Sequence, residues 1–381
     1  MTKTDIENFN KVMAKYGGFW DIDNNQNIEE TTQEGLKDFL NISRTAVDRI
    51  SQYFENSPRI KVAFTRSTKL GAVVSKLDDT YFIGIYSGTA FILYYFFSWM
   101  LRCPRVLPEI GDSSKEEIFK LEDPHLIDFV RLLDTLYLDD DYNPLPKDPK
   151  RAHMVEVMIM HALVFLTLHE LGHILRGHMN YKIKSKVQSS FIDSIELNMF
   201  SDDKDGLLSQ AMEIDADGFA SHYSLVKLQG MFEYMQNKNE YSTFKDFPQL
   251  LGTWVFSIST LFRLFGMFKY DTSKLKQYSH PPAGFRATGI LKEVDDAVLK
   301  GPISHLCSPD FKQNVQGFFF YYLSQVENAF EDMSLNQAVA AEGAQSLAFA
   351  HYYPNHVHDV IRSLNEIKVS IIKDHKFKEK S

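Results

Sequence analysis

The sequence predicts an α+β fold, mostly helical, with a small N-terminal β-sheet. Three observations carry that expectation. Apolar residues recur at helical spacing through most of the chain beyond residue 148. Three short runs rich in β-branched and aromatic residues lie together between residues 59 and 86. One stretch, ALVFLTLHELGHILRGH at 162–178, is apolar enough for a buried central helix.

The elements follow in order. Residues 1–57 read as polar helices: a first helix, an Asn-rich turn at Asp23-Asn24-Asn25-Gln26-Asn27, then a helix over Thr31–Phe54. Arg59–Arg66, Gly71–Ser75 and residues 80–86 read as strands. The uncharged run Tyr81–Leu101 is long enough to span a bilayer. Gly84, Ser87, Gly88 and Thr89 interrupt it, so the expectation is a buried strand, a Ser-Gly-Thr turn and a buried helix rather than a membrane span. A second apolar run, Leu250–Phe262, is too short to span before Arg263. Residues 105–150 are acidic, with an amphipathic helix over Leu126–Leu138 and a solvated acidic run at Asp139-Asp140-Asp141.

Asp148-Pro149 is a strong helix start, Asp as N-cap and Pro at the first helical position. The helix it opens should run to about His178. A polar connection, Asn180–Gly206, has the length of a functional loop or lid. Helices are expected at 207–237, 247–268, 283–299, 310–331 and 334–351, then a frayed basic tail.

Composition narrows the function. A formal net charge of −9 argues against non-specific nucleic-acid binding. Two distant cysteines, Cys103 and Cys307, fit a reduced compartment and offer no cysteine metal site. The first twenty residues are polar and of mixed charge, without the apolar core of a signal peptide. The expected location is the cytoplasm.

The chemistry concentrates in His169-Glu170-Leu171-Gly172-His173. Positions i and i+4 share a helix face, so both imidazoles can point at one centre, with Glu170 beside it. On the order of one chain in a hundred this long carries such a triplet by chance, so its surroundings must decide. Here they are apolar on both sides, and a third ligand is at hand. In Ala211-Met212-Glu213-Ile214-Asp215-Ala216-Asp217-Gly218-Phe219-Ala220, Glu213 and Asp217 are again i and i+4. Glu213 can bind a metal while Asp217 accepts from the far nitrogen of a ligating histidine. An acidic helix face is ordinarily solvated, but Ala216, Gly218 and Ala220 argue for close packing. On this register Asp215 points elsewhere, and His153, His161 and His178 are not ligands, His178 being i+5 from His173. A second metal site around His351, His356 and His358 is not expected.

HELGH with Gly177-His178, then EIDAD, resembles the gluzincin metallopeptidases, in which a glutamate from an ExxxD helix completes HExxH. It is similar to the CAAX-prenyl-protease and HtpX-like peptidases, and to the phage-exclusion peptidases of the Lit kind. Tyr278-Ser279-His280-Pro281-Pro282-Ala283-Gly284-Phe285-Arg286 matches an SHPPxxxR segment of the former. The likeness covers mainly residues 150–290. It implies a zincin-like active-site helix, one Zn²⁺ per chain on His169, His173 and Glu213, and Glu170 as general base. It also implies a sheet edge beside the zinc helix, where an extended peptide can add as a strand.

Two prolines fix the backbone after His280, so its ring sits on a rigid turn. His280 is the candidate to stabilise an oxyanion, with Tyr278 behind it. Arg286 can tie the turn to an acidic partner. The expected organisation is 1–147 for N-terminal helices and sheet, 148–300 for the metallopeptidase core and 301–381 for a C-terminal helical segment, or one continuous domain. The expected activity is zinc-dependent hydrolysis of peptide bonds in a protein or peptide substrate, with no nucleic-acid partner. The alternatives are a membrane-bound CAAX-protease-like peptidase and a non-catalytic regulatory protein with structural zinc. Retention of Glu170, which has no ligand role, favours catalysis.

Overall fold

A computed structural model describes residues 1–24, 30–54, 57–118, 144–184, 190–194, 203–238, 243–266, 271–333 and 354–371. The mostly helical α+β architecture is present. Helix α1, Lys3–Met13, opens with a capping box, Thr2 and Asp5 each accepting the other's amide at 3.1 Å. Asp5 also meets Arg59 and Lys61, pinning the helix to the first strand. Helix α2 spans Glu30–Ser51. Strands β1, β2 and β3 are Arg59–Thr65, Gly71–Leu77 and Thr80–Tyr86. A fourth strand, β4 at Ser190–Ser194, comes from the connection read as a loop.

The sheet order is β1-β3-β2-β4, with β1 parallel to β3 and the other pairs antiparallel. Both faces are covered, and the two-residue alternation shows how. Ala63, Val73, Phe82 and Tyr86 pack with Phe9 and Met13 of α1. Val62, Phe64, Ala72, Val74, Ile83 and Ile85 face the main core. Burying each large apolar side chain contributes about 1.5–3 kcal/mol.

Helix α3, Ser87–Leu101, follows β3 directly. Ser87-Gly88-Thr89 is therefore the first turn of the helix and not a separate turn. Gly88 is needed there because a Cβ would strike the Thr68 carbonyl. Helix α4, Pro149–Leu175, starts as expected, Asp148 accepting from the amides of Lys150 and Arg151. It ends three residues early. Gly177 adopts a left-handed φ of 78°, and the short helix α5, His178–Lys184, sets off in a new direction. Among the described residues only α4 is long and apolar enough to cross a membrane; here it is the largely buried central helix.

Arg151, in the first turn of α4, is fully buried. Its guanidinium donates to the carbonyls of Leu101, Cys103, Val106, Leu107 and Ile110 at 2.7–3.2 Å, which fixes the chain leaving α3.

Helix α6, Asp203–Lys238, packs along α4. Around that pair lie α7, Phe247–Phe265, and α8, Ala283–Leu299. Short α9, Pro309–Gln313, and α10, Val315–Asp332, follow. The last helix, α11 at Pro354–Ile371, has Pro354 as its first residue and was not among the helices expected. One cluster of buried apolar residues runs from Ile22 to Val360. The readings of Leu126–Leu138, Asp139–Asp141, 334–351 and the basic tail fall outside the described residues, as does most of the Asn-rich turn.

Candidate metal centre

Helices α4 and α6 bring His169, His173 and Glu213 together. One ligand atom from each lies within 4.8 Å of the others. His169 Nε2 and His173 Nε2 are 3.1 Å apart, and Glu213 approaches them at 3.2 and 3.4 Å. Packing makes this convergence. Gly172, between His169 and His173 on α4, faces Ala216, between Glu213 and Asp217 on α6. Ala216 and Ala220 are buried as the pattern requires, whereas Gly218 has room for a side chain.

The supporting residues fall into two chains. In the first, His169 Nδ1 lies 2.9 Å from Asp217 Oδ1, and Asp217 accepts a bidentate pair from Arg286, both at 2.8 Å. Arg286 rests over the Phe262 ring at 4.8 Å. Burial opposes ionisation of Asp217, but Arg286 and then His169 outweigh it and hold its carboxyl below the usual range.

The second chain was not part of the sequence reading, although His178 and Asp215 do lie outside the cluster as expected. His178 Nδ1 lies 3.0 Å from His173 Nδ1, and His178 Nε2 lies 3.2 Å from Asp215 Oδ2. Arg176 clamps Asp215 with two bonds of 2.8 Å. A continuous helix would have carried His178 off the metal face. The break at Gly177 turns it back behind His173, and Asp215 reaches it there. The far nitrogens of both histidines are thus engaged by side chains, and the Gly-His pair after HELGH was the available signal.

His280 is more exposed than the cluster, its side chain 14% accessible, with Nε2 3.7 Å from Glu213 Oε2. Ser279 Oγ lies 2.9 Å from Nδ1. A hydroxyl donating there leaves the proton on Nε2, facing the cluster. Tyr278 does something different: its hydroxyl accepts from the Asp271 amide at 2.8 Å, bracing the segment before the turn. Gln210, one turn before Glu213, donates to the carbonyls of Leu275 and Tyr278 and meets His356 of α11 at 2.8 Å. Sequence reasoning gave no sign of that anchor. His153 is exposed beside Glu156, and His161 is buried in the core, where burial pushes its ring down to about 3.

The donor set suits a divalent cation. His169 and Glu170 are fully buried, His173 is 1% exposed and Glu213 2%. Glu213 Oε2 has no hydrogen-bond partner although it is buried. Burial opposes its ionisation, yet His280, His173 and His169 hold its carboxyl well below the usual range. Glu213 and Asp217, both held ionised, set two negative charges against the one of Arg286 in this buried cluster, and a bound cation would offset the excess. Two imidazoles and a carboxylate are a donor set that zinc commonly takes. Comparison with family models, with curated proteins and with solved structures finds no match for the chain.

Proposed function

We propose that the chain is a zinc-dependent metalloendopeptidase of the gluzincin kind. The observation that carries this reading is the buried convergence of His169, His173 and Glu213, with Glu170 next to the first ligand. Zinc held there would supply a Lewis acid and lower the pKa of a bound water towards about 7. Glu170 takes the proton of the attacking water and passes it to the leaving amine. His280 Nε2 donates to the carbonyl oxygen as charge develops on it. Asp217 and Arg286 hold His169 in register. The substrate is a protein or peptide, and enclosure of the residues that act on it favours a selective one.

A second reading, a closed structural zinc centre, draws on the burial of Glu170 and the nearness of His280 to Glu213. Metal analysis with a cleavage assay on a proteome-derived peptide library separates them. Purified protein is expected to hold about one zinc per chain, lost in the His169→Ala/His173→Ala double variant. Glu170→Gln should keep zinc and lose cleavage by at least about 10²–10⁴-fold. Zinc loss in His280→Ala as severe as in His169→Ala, with no cleavage by the parent protein, would establish the closed centre instead.

A further inference from the structure

We infer that His178, Asp215 and Arg176 form a positioning relay that sets the tautomer of His173 for metal binding. The inference rests on the metal reading above and extends it to residues outside the ligand set. Its basis is the order of donors and acceptors. A carboxylate only accepts, and Asp215 already receives two bonds from Arg176 at 2.8 Å. His178 Nε2, 3.2 Å from Asp215 Oδ2, must therefore be the donor. A neutral imidazole with its proton on Nε2 keeps the lone pair on Nδ1. That lone pair faces His173 Nδ1 at 3.0 Å, so the His173 proton sits on Nδ1. The His173 Nε2 lone pair is then left pointing at His169 and Glu213, where a cation would bind.

His169 has the same polarity by a shorter route, its Nδ1 facing Asp217 directly. The two ligands are thus fixed by different devices, one carboxylate at one remove and the other at two. The longer route has a structural reason. Asp215 is two residues from Glu213, on another side of α6, and needs a ring to span the gap to His173. The Gly177 turn supplies that ring by folding His178 back. His178 is fully buried and Asp215 nearly so, which keeps water from substituting for either partner.

The test uses the full-length protein in metal-free and zinc-loaded forms. Ring ¹⁵N–¹H correlation spectra of the metal-free protein report the tautomer of each histidine. Competition against a chromophoric chelator reports zinc affinity. In the parent protein His173 is expected as the Nδ1–H tautomer. His178→Phe removes both ring nitrogens at similar shape and should shift His173 towards Nε2–H. It should also weaken zinc binding by roughly 10–100-fold, the usual effect of losing such a partner. Arg176→Gln, at a side chain 35% exposed, is the variant least disturbing to the fold and should move both readouts the same way by less. A folded His178→Phe protein with unchanged tautomer and unchanged affinity overturns the relay. Should the parent bind no zinc while its His173 spectrum still depends on His178, the metal reading fails and the relay stands.

Discussion

Gly172 lies so close to Ala216 that a Cβ on the glycine would sit 3.2 Å from the Ala216 Cα and 3.3 Å from Phe219. That contact sets the spacing of the two helices at the level of the proposed metal ligands. Two effects compete when the glycine is replaced. Helix propensity favours alanine by about 1 kcal/mol, and overpacking costs about 1–3 kcal/mol. Gly172→Ala should therefore change stability little. Gly172→Val adds two more carbons and a stiff rotamer, and should destabilise by about 1–3 kcal/mol. Because the strain falls between His169, His173 and Glu213, zinc affinity should fall further than stability alone predicts. Thermal melts and chelator competition on both variants check this. A valine variant with normal affinity would show that the ligands do not depend on this contact.

Asp217 and Arg286 provide a second prediction. Breaking a buried ion pair from one side costs about 3–5 kcal/mol, because the remaining charge is left unpaired. Arg286→Met strands Asp217 between His169 and Glu213 and should both destabilise the fold and raise the Asp217 pKa. Asp217→Asn keeps an acceptor for His169 and is expected to be milder, lowering zinc affinity by roughly 10–100-fold. The double variant Arg286→Met/Asp217→Asn should recover part of the stability lost in Arg286→Met. Purely additive losses in that cycle would show that the pair is not coupled.

The centre was legible in the sequence wherever a helical register decided it. His169 with His173, and Glu213 with Asp217, each share a face by their four-residue spacing, and the folded helices keep that arrangement. Arg286 followed from its place after the proline turn. His178 and Asp215 stand outside the cluster, as read, but their place behind His173 was not legible, because one glycine changes the direction of the chain and a helical register does not carry through such a break. Ser190–Ser194 reads as polar connection because an edge strand gains order from its neighbour β2 and not from its own pattern. Pro354 opens a helix as Pro149 does, but Tyr353 precedes it where Asp148 caps Pro149, so the start carried only half of the signal. Arg151 is a different case. A lone arginine in the polar first turn of a helix reads as solvated, and only the fold reveals its five carbonyls.

Arg151 supports the third prediction. Lysine retains the charge but cannot present five planar donors, so Arg151→Lys leaves several of these carbonyls without a partner. Each buried unsatisfied group costs about 1–3 kcal/mol. The variant should lose several kcal/mol, and amide exchange should quicken first over residues 101–110. His169 and His173, the proposed metal ligands, lie several turns further along α4, so zinc affinity of the protein that remains folded should stay near that of the parent. Denaturant melts with exchange mass spectrometry provide the measurement. Protection of 101–110 equal to that of the parent would count against the proposed knot.

The fourth prediction concerns pH. His356 is 5% exposed; burial first, and then the positive charge of Lys276, push its pKa from the ordinary 6.5 down to about 4, against an opposing pull from Asp359. Between those values the unfolded chain binds a proton that the folded chain does not. Stability is therefore full above about pH 6.5, falls as the pH drops towards about 4, and levels off below that. A shift of this size is worth up to about 3 kcal/mol. His356 donates through Nε2 to Gln210, which in turn holds the carbonyls of Leu275 and Tyr278 just before His280; the acid proton goes to Nδ1, so what it costs is burial of a charged ring at this anchor. Acid should thus release α11 and loosen the turn that carries His280. His356→Gln keeps a donor for Gln210 and removes the titration, while other buried histidines such as His161 titrate alike in both proteins. Melting temperatures from pH 7.5 to 4.5 should fall more steeply for the parent than for the variant. Parallel curves would mean that His356 does not carry the acid sensitivity, and that the link from α11 to the His280 turn has to be sought in the Lys276–Asp359 ion pair at 2.7 Å.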